Sequence, residues 1–416
     1  MEVLRELRAK RRVGVKTQNS VQDVVFLSAV RTPFGTYGGA LRDVSVTDFT
    51  VTAAKAAIER AGIAAIDIDS TTFGNVLYTT ADSIYFSRHV ALKAGCRMET
   101  PALTVNRLCG SGFQAVVSGA EEILLGDARV CLVGGADSMS QAPHVSRGLR
   151  WGVPLGKSPP LEDSLWEALR DTYVNLAMGE TAENLAERYE LTRQCVDEFA
   201  LRSQQLAAAA WESGAFENEI VAVPVKNPKT RQMEMFDRDE HLRPNSTLDA
   251  LAKLKPVFRE TGVVTAGNAS GIGDGAGALV VASDEFARER GLHPLGRLVS
   301  WGIAGVDPAV MGIGPVPASK IALHKAGLSL DDMDLIEVNE AFAPQACAVE
   351  RELKIPREKL NTAGGAIALS HPLAASGARI TAHLLHTLRS QGKRYGLGSA
   401  CIGGGQGIAL VVEATA

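Results

Sequence analysis

From Val24 onward the chain alternates short apolar runs with stretches whose apolar residues recur at helical spacing. The run VVFLSAV (24–30) ends at Arg31-Thr32-Pro33. Phe49, Ala53 and Ala57 then fall on one helical face between Thr47 and Arg60, before the stop at Ala61-Gly62. The alternation continues through TTFGNVL (71–77), a helical stretch to about Lys93, ALTV (102–105), a helix from about Gly110 to Leu125, and VCLVGGA (130–136). Strands separated by helices of this length predict right-handed βαβ crossovers and a mostly parallel, buried sheet.

Between Ser138 and about Ser270 the rhythm breaks. This stretch is richer in charge and contains Pro154, Pro159, Pro160, Pro224, Pro228, Pro244 and Pro256, so it reads as an insertion of helices joined by long polar connections. After Leu295 the pattern resumes with RLVSWGI (297–303), a helix near 318–326, DLIEVNEAF (334–342), helices through Glu352 and over 376–389, then GSACIGG (398–404) and GIALVVE (407–413). The expected division is an extension over 1–22, an N-terminal domain over 23–138 plus 273–292, an inserted domain over 139–272 and a C-terminal domain over 293–416.

The two rhythmic stretches resemble each other. IERAGIAAIDIDSTTFGNV aligns with LHKAGLSLDDMDLIEVNEA, placing Gly62 over Gly327 at an offset of 265. After a small slip, the same register sets Cys109 and His371 at equivalent strand-to-helix turns. A repeat of this size predicts two similar α/β domains related by a pseudo-twofold axis, with ligands at the C-terminal ends of the strands.

Composition narrows the function. With 46% apolar and 22% charged residues the chain is globular rather than disordered. Forty-three basic against 47 acidic residues give −4, so no overall basic field points to nucleic acid. No apolar run approaches the ~18 residues of a membrane span. Six cysteines without a CxxC pair or a Cys/His cluster suggest reduced thiols and no metal. Glycine, at 41 of 416, exceeds the usual ~7% and gathers in clusters that suit close backbone approach. The basic segment 1–22 reads as a solvated extension of a cytoplasmic, bacterial-type protein. A mitochondrial targeting helix, and hence the matrix, is the alternative, with Glu2 and Glu6 against it.

Candidate chemistry sits at four turns. Cys109, in VNRLCGSGFQAV, follows a strand and starts a helix, where free N–H groups and the positive helix end favour a thiolate; the plain alternative is a structural core cysteine. His371, in GGAIALSHPLAASGARI, has the residue type to exchange a proton with a thiol near neutrality, or is simply a turn residue. Cys401 in SACIGGGQG precedes three glycines whose N–H groups are raw material for an oxyanion hole. Asn339 in VNEAFAPQ closes a strand, where it can hold a water, donate a hydrogen bond or cap a helix.

NRLCGSGF, VTAGNASGIGDGAGA, VNEAFAPQ, GGAIALSHP and SACIGGGQG, in this order, resemble the motifs of the thiolase family, from about Val24 to the C-terminus. ADSIY (81–85), LEDSLW (161–166) and NEAFAPQ are most similar to its mitochondrial-type 3-ketoacyl-CoA thiolases. The resemblance implies an α/β fold of duplicated βαβ units in five αβαβα layers with an inserted loop domain. It implies an acyltransferase that cleaves 3-ketoacyl-CoA with CoA through an acyl-cysteine, or the same reaction run backwards. Cys109 would be the nucleophile, His371 the base, Cys401 the second acid/base and Asn339 the holder of a water, with the N–H groups of Cys109 and Gly403 as oxyanion donors. Ser270 and Ala269 would lie near the pantetheine, Met178 and Phe342 along the acyl or pantetheine channel, and Arg243 near the adenine and phosphates. Coenzyme A would be a co-substrate, with no permanently bound cofactor, and the protein a homodimer or homotetramer. The alternatives are an acetyl-CoA acetyltransferase making acetoacetyl-CoA and an impaired acyl-CoA-binding subunit.

Two features depart from the family pattern. Ser370 and Ala374 stand where the family usually has glycine; a Cβ at φ > 0 would cost on the order of 1 kcal/mol. Ala177 precedes Met178 where short-chain members carry histidine, which suits this chain to longer acyl groups.

Overall fold

In the computed structural model, which describes residues 23–227 and 229–415, the apolar runs become strands and the periodic stretches helices. β1 (Val24–Arg31), β2 (Ser70–Gly74), β3 (Ala102–Val105) and β4 (Val130–Ser138) alternate with α1 (Val46–Arg60), α2 (Phe86–Ala94) and α3 (Ser111–Leu125). The inserted stretch contributes α4 (Met178–Arg188), α5 (Arg193–Glu212) and short two-stranded ribbons such as Val223–Lys226 with Met233–Phe236. β5 (Gly273–Ser283) and β6 (Gly296–Gly305) follow. The second half is completed by α6 (Pro315–Ala326), β7 (Leu335–Val338), α7 (Ala343–Leu353), α8 (Ala375–Ser390), β8 (Tyr395–Ile402) and β9 (Gln406–Ala414). The basic extension over 1–22 lies outside the described residues.

The sheet is mixed rather than mostly parallel, which corrects the expectation from the βαβ rhythm. Its order is β7-β8-β9-β6-β1-β5-β4-β2-β3, with Gly35–Thr36 paired on β5. β2 runs parallel to β3 and β4, and β7 parallel to β8, as crossovers require. The inner neighbours β1/β5, β5/β4, β1/β6, β6/β9 and β8/β9 are antiparallel. Each half thus ends on a returning strand. In the first half that strand is β5, whose sequence GDGAGALVVAS has a glycine-rich start that gives no strand signal, yet all eleven of its residues are buried.

Three packed clusters define five layers. Phe49 and Ala53 of α1 and Val90 of α2 cover one face of the first half, against Val25, Leu132 and Val280. Val316 and Ala322 of α6, with Ala346 and Val349 of α7, cover the outer face of the second half, joined by Phe199 of α5. Between the two halves lie α3 and α8. Their Phe113, Val116, Ile380 and Leu384 pack among Phe26, Val133, Leu279, Leu298 and Leu410. Burying one such side chain stabilises by roughly 1.5–3 kcal/mol, and this layer joins the halves together with the β1/β6 pairing. The repeat is visible in the backbone as well. Gly62 and Gly327 both close their helices with positive φ, at 70° and 67°.

A buried ionic cluster fastens the insertion to both halves. Arg31, at the end of β1 and fully buried, donates from Nε to Glu219 at 2.6 Å and forks onto Asp239 at 2.7 and 2.9 Å. Glu219 in turn reaches His383 Nδ1 of α8 at 3.0 Å. Fork-to-fork pairing of this kind satisfies charges that burial would otherwise make costly.

Candidate active site

The Cys109 turn is built locally. After β3 the chain reverses through Asn106-Arg107-Leu108, with Leu108 at φ 46°. Asn106 Oδ1 accepts the Leu108 N–H at 3.0 Å; Ser111 Oγ accepts the Arg107 N–H at 2.9 Å and donates to the Leu108 carbonyl at 2.7 Å. The result lifts Cys109, half-buried, to the start of α3. The matching turn in the second half carries His371 just ahead of α8.

What brings the two turns together is the crossing of α3 and α8. A Cβ on Gly112 would lie 2.5 Å from the Ala374 carbonyl oxygen, and one on Gly377 2.2 Å from the Phe113 nitrogen. Only hydrogen fits at either position, so the helices touch backbone to backbone, and the residues just upstream converge on one cavity. Gly112 and Gly377 are themselves related by the offset of 265 found in the repeat.

His371 is buried and held on both ring nitrogens. Ser376 Oγ lies 2.6 Å from Nδ1 and donates its own proton to the Pro372 carbonyl at 3.0 Å, which assigns the ring proton to Nδ1. Nε2 is then unprotonated, its lone pair accepting from the Asn339 amide at 3.3 Å. Burial, with Arg379 adding to it, pushes His371 down to about 3, so the ring is neutral at physiological pH.

The Cys109 thiol behaves differently from the expectation of a thiolate. Burial pushes it up to about 12, against the pull of the Gly403 N–H and its own N–H, while Asp137 adds to the rise. Desolvation outweighs the helix start, so the group rests as a thiol, and its proton must be taken before the sulfur can act as a thiolate. Cys401, fully buried at the end of β8, is raised by burial and by the nearby Cys109. Gly403 follows it in the β8–β9 turn, under Leu108 and Met178. Asn339 is fully buried after β7, and its Oδ1 has no protein partner among the described residues.

A cavity of about 400 Å³ collects most of the expected residues: Cys109, His371, Met178, Arg243, Ala269, Ser270 and Phe342 line it. Asn339, Cys401 and Gly403 do not; they sit behind its wall, against His371 and Cys109. The cavity also takes Trp166, Leu169, His241 and Phe258 from the insertion, which sequence reasoning missed as wall residues. Trp166 closes the LEDSLW motif, the one signal that could have found it. A second cavity of about 400 Å³ adjoins the first and shares His241, Arg243 and Ala266 with it. Of the two residues that stand where the family usually has glycine, Ala374 has an ordinary φ of −74°, whereas Ser370 stands at +85°.

Among the described residues no group of three His, Cys, Asp or Glu is placed to hold a metal, and no helix is long and apolar enough to cross a membrane. The model of the thiolase N-terminal domain matches residues 24–285 and that of the C-terminal domain residues 292–414. The chain is 53% identical over 396 residues to the mitochondrial 3-ketoacyl-CoA thiolase of Homo sapiens, covering 95% of this chain and 99% of that protein. The crystal structure of the human mitochondrial 3-ketoacyl-CoA thiolase in complex with CoA superposes with a TM-score of 0.92 at 52% identity, covering 95% of this chain and 99% of that one. An acetyl-CoA acetyltransferase of Bacillus anthracis also superposes at 0.92, with 44% identity over 96% of this chain and 100% of that one. A duplicated fold, a cysteine and a neutral histidine converging from its two halves, and family models matching almost from end to end agree: the chain belongs to the thiolase family.

Proposed function

We propose that the protein is a 3-ketoacyl-CoA thiolase, cleaving 3-ketoacyl-CoA with CoA to acetyl-CoA and an acyl-CoA two carbons shorter, as in fatty-acid β-oxidation. The observation that carries this reading is the pairing, at one cavity, of a protonated Cys109 with a buried His371 whose Nε2 is unprotonated. His371 takes the thiol proton as Cys109 sulfur attacks the 3-keto carbon. The C2–C3 bond breaks, leaving acyl-Cys109 and an enolate, which Cys401 protonates to acetyl-CoA. The incoming CoA thiol returns a proton to Cys401 and attacks the thioester. Departing Cys109 sulfur recovers its proton from His371, and every proton is accounted for.

Charge that develops on the substrate oxygens has donors in the Cys109 and Gly403 N–H groups and in a water held on Asn339. Coenzyme A fits the paired cavities, with pantetheine against Ala269 and Ser270, adenine and phosphates toward Arg243, and the acyl chain along Met178 and Phe342. The inserted domain over 139–272 supplies much of that wall. The working unit is a homodimer or homotetramer in a reducing compartment, bacterial cytoplasm or mitochondrial matrix.

Incubation with 3-ketoacyl-CoA in the absence of CoA is expected to add the mass of the shortened acyl group to the Cys109 peptide, and added CoA to remove it. A protein with neither adduct nor CoA-dependent cleavage would be the impaired binding subunit instead. Similarity to an acetyl-CoA acetyltransferase keeps a second reading, acetoacetyl-CoA formation, in play. Ala177 before Met178 argues for longer chains, so thiolysis rates should rise from C4 to C8; a rate that collapses beyond C4 would favour the acetyltransferase.

A further inference from the structure

Seven non-glycine residues have positive φ among those described. Six of them lie between 45° and 62°, the ordinary left-handed region, while Ser370 stands apart at φ 85°, ψ 168°. That region is essentially reserved for glycine, and a side chain persists there only where its surroundings over-determine it. Ser370 is buried, and its hydroxyl donates to the Gly271 carbonyl at 3.0 Å. The same carbonyl accepts the His371 backbone N–H at 2.9 Å. Gly271 lies between Ser270 and Ile272 in the cavity wall, with the His241 ring covering it from the other side: a Cβ there would meet the ring at 2.6 Å. Ser270 is held in turn by its N–H to the Ala341 carbonyl at 3.0 Å.

We propose that Ser370 is a positioning residue whose hydroxyl locks the 269–271 wall to the His371 turn, setting where the CoA thiol arrives relative to the imidazole. His371 keeps its own supports, Ser376 and Asn339, when Ser370 is changed, so the effect falls on co-substrate binding rather than on the proton transfer. The inference rests on the thiolase reading. Failure of that reading shows as no turnover in the unmutated protein, whereas failure of this one shows only in the variants.

Two variants of the full chain separate strain from hydrogen bonding. Ser370→Ala keeps the Cβ and loses the hydroxyl, so its melting temperature falls and its KM for CoA rises about fivefold, as the loss of one hydrogen bond allows, with kcat within about twofold. Ser370→Gly loses both, so its melting temperature rises by about 2 °C while KM for CoA rises as in the alanine variant. A residue that merely filled space would move stability and KM in the same sense. KM for CoA within twofold of the unmutated value in Ser370→Gly overturns the proposal, and this variant decides alone if Ser370→Ala does not fold.

Discussion

The Cys109 turn and the His371 turn descend from equivalent places in a repeat, yet they are built to opposite standards of rigidity. Cys109 is half-buried, opens on the cavity and is held in place mainly by its own neighbours, through Asn106 and Ser111. His371 is buried and tied both locally and from outside: Ser376 of its own turn and Asn339 on the ring, Gly271 on its backbone, and Asp137 of the other half accepting the Ala374 N–H at 2.7 Å. The difference suits the roles proposed for the two residues. A nucleophile must be reached by a carbon of the substrate and later by a second thiol, while a base gains from staying where it is.

Removing the fixed partner should break this arrangement most severely. His371→Ala leaves Cys109 a thiol raised to about 12 with nothing to take its proton. Thiolysis turnover is expected to fall by roughly 10²–10⁴, measured with saturating substrate at pH 8. Activity within tenfold would mean that the proton leaves by another route.

Moving the turns apart without touching either one is the next largest perturbation. Gly377→Ala sets a methyl 2.2 Å from the Phe113 nitrogen, so α3 and α8 must separate. The crossing should lose about 1–3 kcal/mol of stability and turnover about 10², with denaturant melts and kinetics read on the same samples. Loss of stability without loss of turnover would show that the crossing holds the fold but not the site.

The smallest effect sharpens the contrast through pH. His371 is held near 3 in the folded state, below the ~6.5 of an unfolded chain. The unfolded state therefore binds the extra proton first. The stability contributed by the neutral ring is present above about pH 6.5 and is lost as pH falls toward 3. In His371→Asn the melting temperature should depend less on pH over that window than in the unmutated protein. For the same reason kcat should show no acid limb at pH 6.5, because the base is already deprotonated there. An acid limb centred on 6.5 that disappears in the variant would mean an exposed, ordinary histidine.

Much of this was legible in the residues and some was not, for physical reasons. Helix and strand positions followed from periodicity, and ALTV at 102–105 matches β3 residue for residue. The turns of Cys109 and His371 followed from the repeat. Strand direction did not, because a crossover helix and a returning hairpin leave similar local patterns. β5 stayed hidden because the glycines that open it lack the side chains that announce a strand. The protonation of Cys109 was misread for a different reason. The helix start is written in the local sequence, but the burial that outweighs it comes from segments as far apart as Leu77, Met139, Leu165 and Leu373. The cavity walls at His241 and Phe258 come from a stretch whose pattern showed mainly charge and proline, and Trp166 was marked only by the LEDSLW motif.

The cluster around Arg31 has a consequence for the order in which the chain is made. Arg31 emerges early in synthesis, Glu219 and Asp239 near the middle, and His383 almost at the end. Until the middle segment arrives, the guanidinium must stay in water, and the first half cannot close around it. Until α8 arrives, Glu219 lacks one of its two partners. The cluster is therefore completed in steps: a chain cut short before α8 already pairs Arg31 with Glu219 and Asp239, but it leaves one Glu219 oxygen without His383 and the central layer without Ile380 and Leu384.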